Sequence, residues 1–192
     1  MPVGTMMRAY YERYTGAAIV LHWVTAVLVA ANLLLGLSMV PLPISPRKLH
    51  WYVWHKSIGI TIFLLTGARL AWRVARPHPR PVPMPQWQRR AAAVSHVMLY
   101  VLLIVTPISG WLYSSATGVQ VVYLGLVPLP NPVPKDSALA DALKLVHVTL
   151  NSVLFGLVCI HAAAALAHHF IDRDSVLARM LPRFRPNGAT DR

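Results

Sequence analysis

Two histidines in one apolar segment, His147 and His161, have a spacing that could place a metal-binding imidazole at each of two depths of a membrane. On an α-helix, residues this far apart differ by only about 40° in azimuth and by about 21 Å in height. One helix face would then present an imidazole toward each side of a bilayer core about 30 Å thick. Two other apolar segments carry His22 and His55 near one end. Four histidines paired at two depths suit two bis-imidazole haems stacked across a membrane.

The composition predicts the elements that must hold these histidines. The chain has 192 residues, of which 56% are hydrophobic and 12% are charged, whereas soluble domains have about 25% charged residues. Stretches long enough to span a bilayer are roughly 17–40, 51–75, 91–113 and 146–170. We therefore expect an all-α membrane protein, a four-helix transmembrane bundle holding two b haems, with residues 1–192 forming a single domain. The first stretch is too long for a signal-peptide core and is expected to be retained.

The connecting segments are expected to be irregular for most of their length. Residues 41–50 predict a short Pro-rich turn, and residues 76–90 are too rich in proline for a helix interior. The longest loop is 114–145, and its Pro-rich part is expected to be extended. Within it, residues 136–145 predict a short amphipathic helix, capped by Asp or Ser, that runs into the fourth span.

The single cysteine, Cys159, excludes a disulfide framework within the chain. The sequence has no C-x-x-C-H motif for covalent haem attachment, so any haem must be b-type and held by axial ligands and packing. The net charge of +12 is concentrated beside the apolar segments. That distribution fits an orientation signal better than nucleic-acid binding.

The distribution of positive charge predicts the topology. Thirteen arginines lie in the N-terminal tail, the region around 69–90 and the C-terminal tail, against five basic residues on the other side. The positive-inside rule then places both termini in the cytoplasm. The five residues on the outer side are Arg47, Lys48, Lys56, Lys135 and Lys144. They are either ordinary loop charge or a positive field that attracts a small anion.

Depth under this topology selects the histidine pairs. His22 pairs with His161 toward the cytoplasm, and His55 pairs with His147 toward the outer face. A lone histidine near a membrane boundary is more often interfacial than a ligand, but four that pair by depth favour ligation. A zinc or copper site is the main rival, and it requires ligands that converge on one point. His50 competes with His55 in the second span.

His168 follows His161 by seven residues, about 20° away in azimuth and about 10 Å nearer the surface. It is either a snorkelling interfacial residue or a proton-exchanging neighbour of a quinone. Arg69 and Arg73 are candidates to pair with haem propionates. The tryptophans lie mostly near span ends, where an aromatic belt explains them.

These residues resemble the bacterial cytochrome b561 family of four-helix di-haem membrane proteins, related to the cytochrome b subunits of formate dehydrogenases and nickel–iron hydrogenases. The motifs that carry the resemblance are I-V-L-H-W at 19–23, H-K-S-I-G-I at 55–60, H-x13-H at 147–161, H-A-A-A-A-L-A-H-H-F at 161–170 and L-A-R-M-L-P-R at 177–183. The resemblance covers nearly the whole chain.

The resemblance implies that the iron (metal) ligands are His22, His55, His147 and His161, and it favours His55 over His50. It also implies that His96 and His168 lie near the inner haem, as candidate catalytic residues of a quinone site. The implied activity is that of a superoxide:ubiquinone oxidoreductase in the bacterial inner membrane, with lipid, ubiquinone and superoxide as partners. The alternative is a cytochrome b subunit that passes electrons between a partner dehydrogenase or periplasmic cytochrome and the quinone pool.

Overall fold

A computed structural model describes residues 13–76, 79 and 82–182. The described part contains four long helices, all apolar enough to cross a membrane. They are α1 (Gly16–Met39), α2 (Pro46–Ala75), α3 (Gln86–Ala116) and α4 (Ser137–Phe170). The predicted four-helix transmembrane bundle is confirmed, and the chain is a membrane protein.

Local capping explains where the helices begin. Helix α2 starts at Pro46, earlier than the predicted residue 51, because the Ser45 side chain accepts a hydrogen bond from the Lys48 amide and proline suits the first helical turn. Helix α4 starts after Asp136, whose carboxylate accepts from the Leu139 amide. The amphipathic helix predicted at 136–145 therefore runs without a break into the fourth span. Helix α3 begins at Gln86, directly after the Pro-rich segment.

The helices pack in chain order, α1 against α2, α2 against α3 and α3 against α4. Side chains from all four helices meet in a small core of Val29, Ile62, Leu102, Leu103 and Leu154. Many other apolar side chains point outward; Val20, Leu34 and Ile160, for example, are at least 60% exposed. An apolar outer surface of this kind is what a lipid environment solvates.

The loop between α3 and α4 closes one end of the bundle. It contains an antiparallel hairpin of β1 (Val122–Tyr123) and β2 (Val127–Pro128), where the sequence predicted only extended chain. The amide of Leu124 donates to the Ser57 hydroxyl, and the hydroxyl of Tyr123 bonds to that of Thr61. The hairpin is thereby attached to α2.

The segment that follows α4, residues 171–182, closes the other end and is called the tail. Arg173 adopts a left-handed conformation (φ 52°), and the amide of Asp174 donates back to the His168 carbonyl. Arg13 donates to the carbonyls of Ala178 and Leu181.

Five of the thirteen arginines that predict the topology lie outside the described residues. They are Arg8, Arg80, Arg183, Arg185 and Arg192. The last residue of the 177–183 motif therefore also lies outside them.

Candidate functional site

The structure brings together both histidine pairs that the sequence predicts. The ring centroids of His55 and His147 are 6.2 Å apart, and those of His22 and His161 are 6.4 Å apart. Two imidazoles that bind opposite sides of one metal, each through a nitrogen at about 2 Å, have centroids about 6.3 Å apart. The spacing within each pair therefore fits ligation of one metal between the two rings.

Each pair lies in its own cavity. The cavity below the hairpin, the hairpin-side cavity, has a volume of about 510 Å³ and contains His55 and His147. The cavity below the tail, the tail-side cavity, has about 420 Å³ and contains His22 and His161. Both volumes lie in the range of about 300–1,000 Å³ that is usual for bound cofactors. Val29 and Leu103 line both cavities, so a thin layer of side chains separates them.

Two glycines make room for the rings in the hairpin-side cavity. A Cβ atom added at Gly110 would lie 2.8 Å from Cε1 of His147, and one added at Gly36 would lie 3.2 Å from Cε1 of His55. At Gly67 and Gly156 an added Cβ would meet nothing within 4 Å. At Gly110 and Gly36 the absence of a side chain therefore lets an imidazole ring approach the helix backbone closely.

Hydrogen bonds fix which nitrogen His147 presents to a metal. Its Nδ1 lies 2.9 Å from the hydroxyl oxygen of Ser109 and 3.2 Å from the carbonyl oxygen of Thr106. The Ser109 hydroxyl itself donates to the Thr106 carbonyl, so it accepts from His147. Nδ1 is then the protonated nitrogen, and Nε2 keeps its lone pair for a metal.

Both cavities contain basic side chains. Arg69 and Arg73 line the tail-side cavity, and the Arg69 guanidinium donates to Nδ1 of His22 at 3.0 Å. Lys56 lines the hairpin-side cavity and donates to the Ser114 hydroxyl at 2.7 Å. Among the described residues, neither lining includes an aspartate or a glutamate.

A third histidine belongs to the tail-side cavity. His96, on α3, lines it, and its ring centroid lies 5.4 Å from that of His161. The cavity histidines do not converge as zinc ligands would. In the described part of the chain, the one group of three or more potential ligands whose atoms lie within 4.8 Å of each other is His168, Asp172 and Asp174. The geometry therefore disfavours a zinc or copper site at the paired histidines.

Among the described residues, His50, His168 and His169 lie outside both cavities. Nε2 of His50 accepts a hydrogen bond from the Trp54 indole, and this histidine lines neither cavity, whereas His55 lies in one. Nδ1 of His168 lies 2.7 Å from an Asp174 carboxylate oxygen. His168 is thus held against the tail and does not line the tail-side cavity, which is closed by Val176, Leu177 and Met180 of the tail.

Sequence reasoning missed the residues that position the ligating candidates. Thr106 and Ser109 contact His147, and their only signal was a small, polar interruption of an apolar segment. The tail was missed as a wall of a cavity, although Trp23 donates to the Met180 carbonyl and lines the same cavity. The sequence had assigned that tryptophan only to an aromatic belt.

A b haem fits the residues present in each cavity. The two imidazoles of each cavity are spaced so that both could ligate one iron, the linings are largely apolar, and each cavity holds a cation that would suit a propionate. The donor set is imidazole alone, and no covalent attachment motif occurs in the sequence.

The sequence matches known proteins over most of its length. Residues 13–183 match the family model for prokaryotic cytochrome b561. Cytochrome b561 homolog 2 of Escherichia coli (strain K12) is 37% identical over 88% of this chain and 92% of its own length. Cytochrome b561 homolog 1 of the same organism is 31% identical over 90% of this chain and 98% of its own length. The probable superoxide oxidase CybB of Yersinia pestis is 31% identical over 91% of this chain and 99% of its own length. The chain belongs to the prokaryotic cytochrome b561 family, whose members are membrane electron-transfer proteins that bind haem b.

Proposed function

We propose that this protein binds two b haems and carries single electrons between the two faces of a bacterial inner membrane. His55 and His147 would ligate one iron, and His22 and His161 the other. The observation that carries the proposal is the centroid spacing of 6.2 and 6.4 Å in two separate cavities. The haems would supply reversible one-electron chemistry, and the protein would supply their ligands, their separation and a dry surrounding.

The side chains favour electron transfer over chemistry at the metal. Two histidines on one iron leave it no open position, so binding of oxygen at the iron is disfavoured. The hydrogen bonds of His147 to Ser109 and Thr106 hold that ring in one orientation. Val29 and Leu103 line both cavities, so the two sites are separated only by a thin layer of side chains.

The proposed orientation follows the charge distribution. Both termini lie in the cytoplasm, so the hairpin-side cavity faces outward and the tail-side cavity faces inward. Lys56 then belongs to the outer side, and Arg69, Arg73 and the tail belong to the inner side.

The substrate proposed for the outer side is superoxide. Each superoxide loses one electron and becomes dioxygen, and two such electrons with two protons convert ubiquinone into ubiquinol. The basic residues of the outer side would attract the anion. The proposed quinone site is at the inner side, where His96 lines the cavity and His168, paired with Asp174, can exchange protons. Further support comes from the 31% identical Yersinia pestis protein named a probable superoxide oxidase.

One observation favours a second candidate function. Leu124, Leu126 and Val127 at the tip of the hairpin are each more than half exposed. An exposed apolar tip of this kind suits a protein contact. The second candidate is an electron-transfer subunit, which would anchor a dehydrogenase or receive electrons from a periplasmic cytochrome, and would pass them to the quinone pool.

The deciding experiment is anaerobic rapid mixing of the purified protein with superoxide while the haem absorbance and ubiquinol are recorded. We expect the haems to be reduced when superoxide is mixed in, and ubiquinol to form afterwards when ubiquinone is present. Added superoxide dismutase should abolish both signals. Haems that remain oxidised with superoxide, yet become reduced with ubiquinol, would favour the subunit function instead.

A further inference from the structure

Lys56 is a cation in an apolar cavity that offers it no negative partner. Its side chain is partly buried, and its ammonium group donates to the Ser114 hydroxyl at 2.7 Å. It takes part in no ion pair within the described residues. The whole sequence has only six acidic residues, and in the described part none of them lines this cavity.

A lone ammonium in such surroundings is costly. Transfer of a charge from water into an apolar region is unfavourable unless an opposite charge or several hydrogen bonds compensate for it. A single serine hydroxyl supplies one neutral hydrogen bond and no charge. The residues present therefore point to a ligand that brings its own anion into this cavity.

The position of the ammonium restricts which part of the ligand it can reach. Gly110 lies against the His147 ring, and Ser114 lies one helical turn further along α3, toward the hairpin. The offset of four residues corresponds to about 6 Å along the axis. The Lys56 ammonium is therefore displaced toward the hairpin from the level at which the two imidazoles face each other.

We propose that Lys56 binds a propionate carboxylate of the haem held between His55 and His147, and that it directs the propionate edge toward the hairpin. This inference rests on the proposed di-haem function. It explains why a lysine can follow directly after a ligating histidine inside a span. The displacement of the ammonium matches the position of a group at the edge of a macrocycle rather than at its centre.

The tail-side cavity has the complementary arrangement. Three arginines line it, Arg69, Arg73 and Arg76, and all three lie at or just beyond the far end of the same helix α2. The offset of thirteen residues from position 56 to position 69 corresponds to about 20 Å along α2. The two haems would thus turn their propionate edges toward opposite faces of the membrane, away from the core of Val29 and Leu103.

The test is a redox titration of the purified holoprotein and three variants, Lys56→Met, Lys56→Arg and Lys144→Met. Lys144 is an exposed basic residue near the start of α4, lies outside the cavity and controls for loss of one charge on the same side. A nearby cation favours the reduced haem, so Lys56→Met should lower the midpoint potential of one haem by a tenfold change in its one-electron equilibrium, or about 59 mV. The midpoint potential of the other haem should stay close to its wild-type value in Lys56→Met. In Lys56→Arg and Lys144→Met the midpoint potentials of both haems should stay close to wild type.

Haem content, measured on the same samples, separates the possible failures. Loss of one haem from Lys56→Met but not from Lys56→Arg also supports the inference. Equal loss from both variants overturns it, because side-chain shape rather than charge would then be responsible. The inference is also overturned if Lys56→Met keeps two haems and its midpoint potentials shift no further than those of Lys144→Met. A wild type that binds fewer than two haems refutes the proposed function itself.

Discussion

The Arg69 guanidinium on α2 donates a hydrogen bond to Nδ1 of His22 on α1 across 3.0 Å. An arginine can only donate, so Nδ1 of this ring is the acceptor and the neutral ring carries its proton on Nε2. Ligation through Nε2 requires the opposite tautomer. Haem binding as proposed would therefore require Arg69 to leave this contact, and the same motion would free its charge for a propionate in the tail-side cavity.

Arg69→Leu should therefore weaken the tail-side haem. We expect a lower midpoint potential for one haem, or partial loss of that haem, because a cation that lines the cavity is removed. Redox titration and a pyridine haemochrome assay measure both effects. Arg90→Leu, an exposed arginine at the start of α3, is the matched control. If both variants behave alike, Arg69 has no specific role.

The proposed ligands predict the haem count. Purified protein should contain two low-spin, six-coordinate b haems per chain. His55→Ala or His147→Ala should remove the hairpin-side haem, and His22→Ala or His161→Ala the tail-side haem, with the other retained in each case. Haem assays and absorbance spectra measure this outcome. A single haem in the wild type, or loss of a haem in His50→Ala but not in His55→Ala, would contradict the assignment.

Gly110→Ala should displace the His147 ring. The added Cβ would lie 2.8 Å from Cε1, and the ring cannot retreat without loss of its hydrogen bonds to Ser109 and Thr106. We expect reduced occupancy of one haem, and a weaker effect of Gly36→Ala, where the distance is 3.2 Å. Gly156→Ala meets nothing within 4 Å and should retain both haems. Haem loss in that control would mean that helix packing, not ring contact, is responsible.

The proposed orientation can be measured with reporter fusions. Fusions within 41–50 and 114–145 should report an outer location, and fusions within 76–90 and at both termini should report the cytoplasm. The reason is the excess of arginine on the second set of segments. A cytoplasmic 114–145 loop would exchange the outer and inner sites.

His168→Ala should slow ubiquinone reduction while both haems stay bound and reducible. The carboxylate of Asp174 orients this ring at 2.7 Å, so Asp174→Asn should act in the same direction. His96→Ala should have a weaker effect. His169→Ala, at the exposed neighbouring position, is the control. Unchanged quinone kinetics in the His96/His168 double variant, or a quinone analogue bound beside the hairpin-side cavity, would refute this placement.

Much of the site could be predicted from the sequence because helical geometry is local. The spacing of His147 and His161 predicts their separation on α4, and the depth of His22 and His55 predicts their partners; both pairs meet in the structure. Whether these residues ligate iron stays a prediction. The contacts of Ser109 with His147 and of Arg69 with His22 join different helices. They depend on helix rotation, which the hydrophobic pattern of a lipid-exposed helix leaves open.

The two ends of the bundle were harder to predict. The hairpin depends on positive φ angles at Leu124 and Gly125 and on contacts to α2, and the Pro-rich sequence suggested only extended chain. The return of the tail depends on Arg173, a residue type that seldom adopts positive φ. In both segments, long-range contacts determine the structure more than local propensity does.

The separation of the two histidines on α4 couples the proposed electron transfer to membrane voltage. The pairs stand about 21 Å apart along the helix, roughly two-thirds of a bilayer core about 30 Å thick. One elementary charge that crosses the whole membrane gains or loses about 2.3 kcal/mol per 100 mV. An electron that passes between the sites therefore exchanges about 1.5 kcal/mol with the field, roughly a tenfold change in its distribution per 100 mV. An energised membrane would thus set how far electrons from one face accumulate at the other.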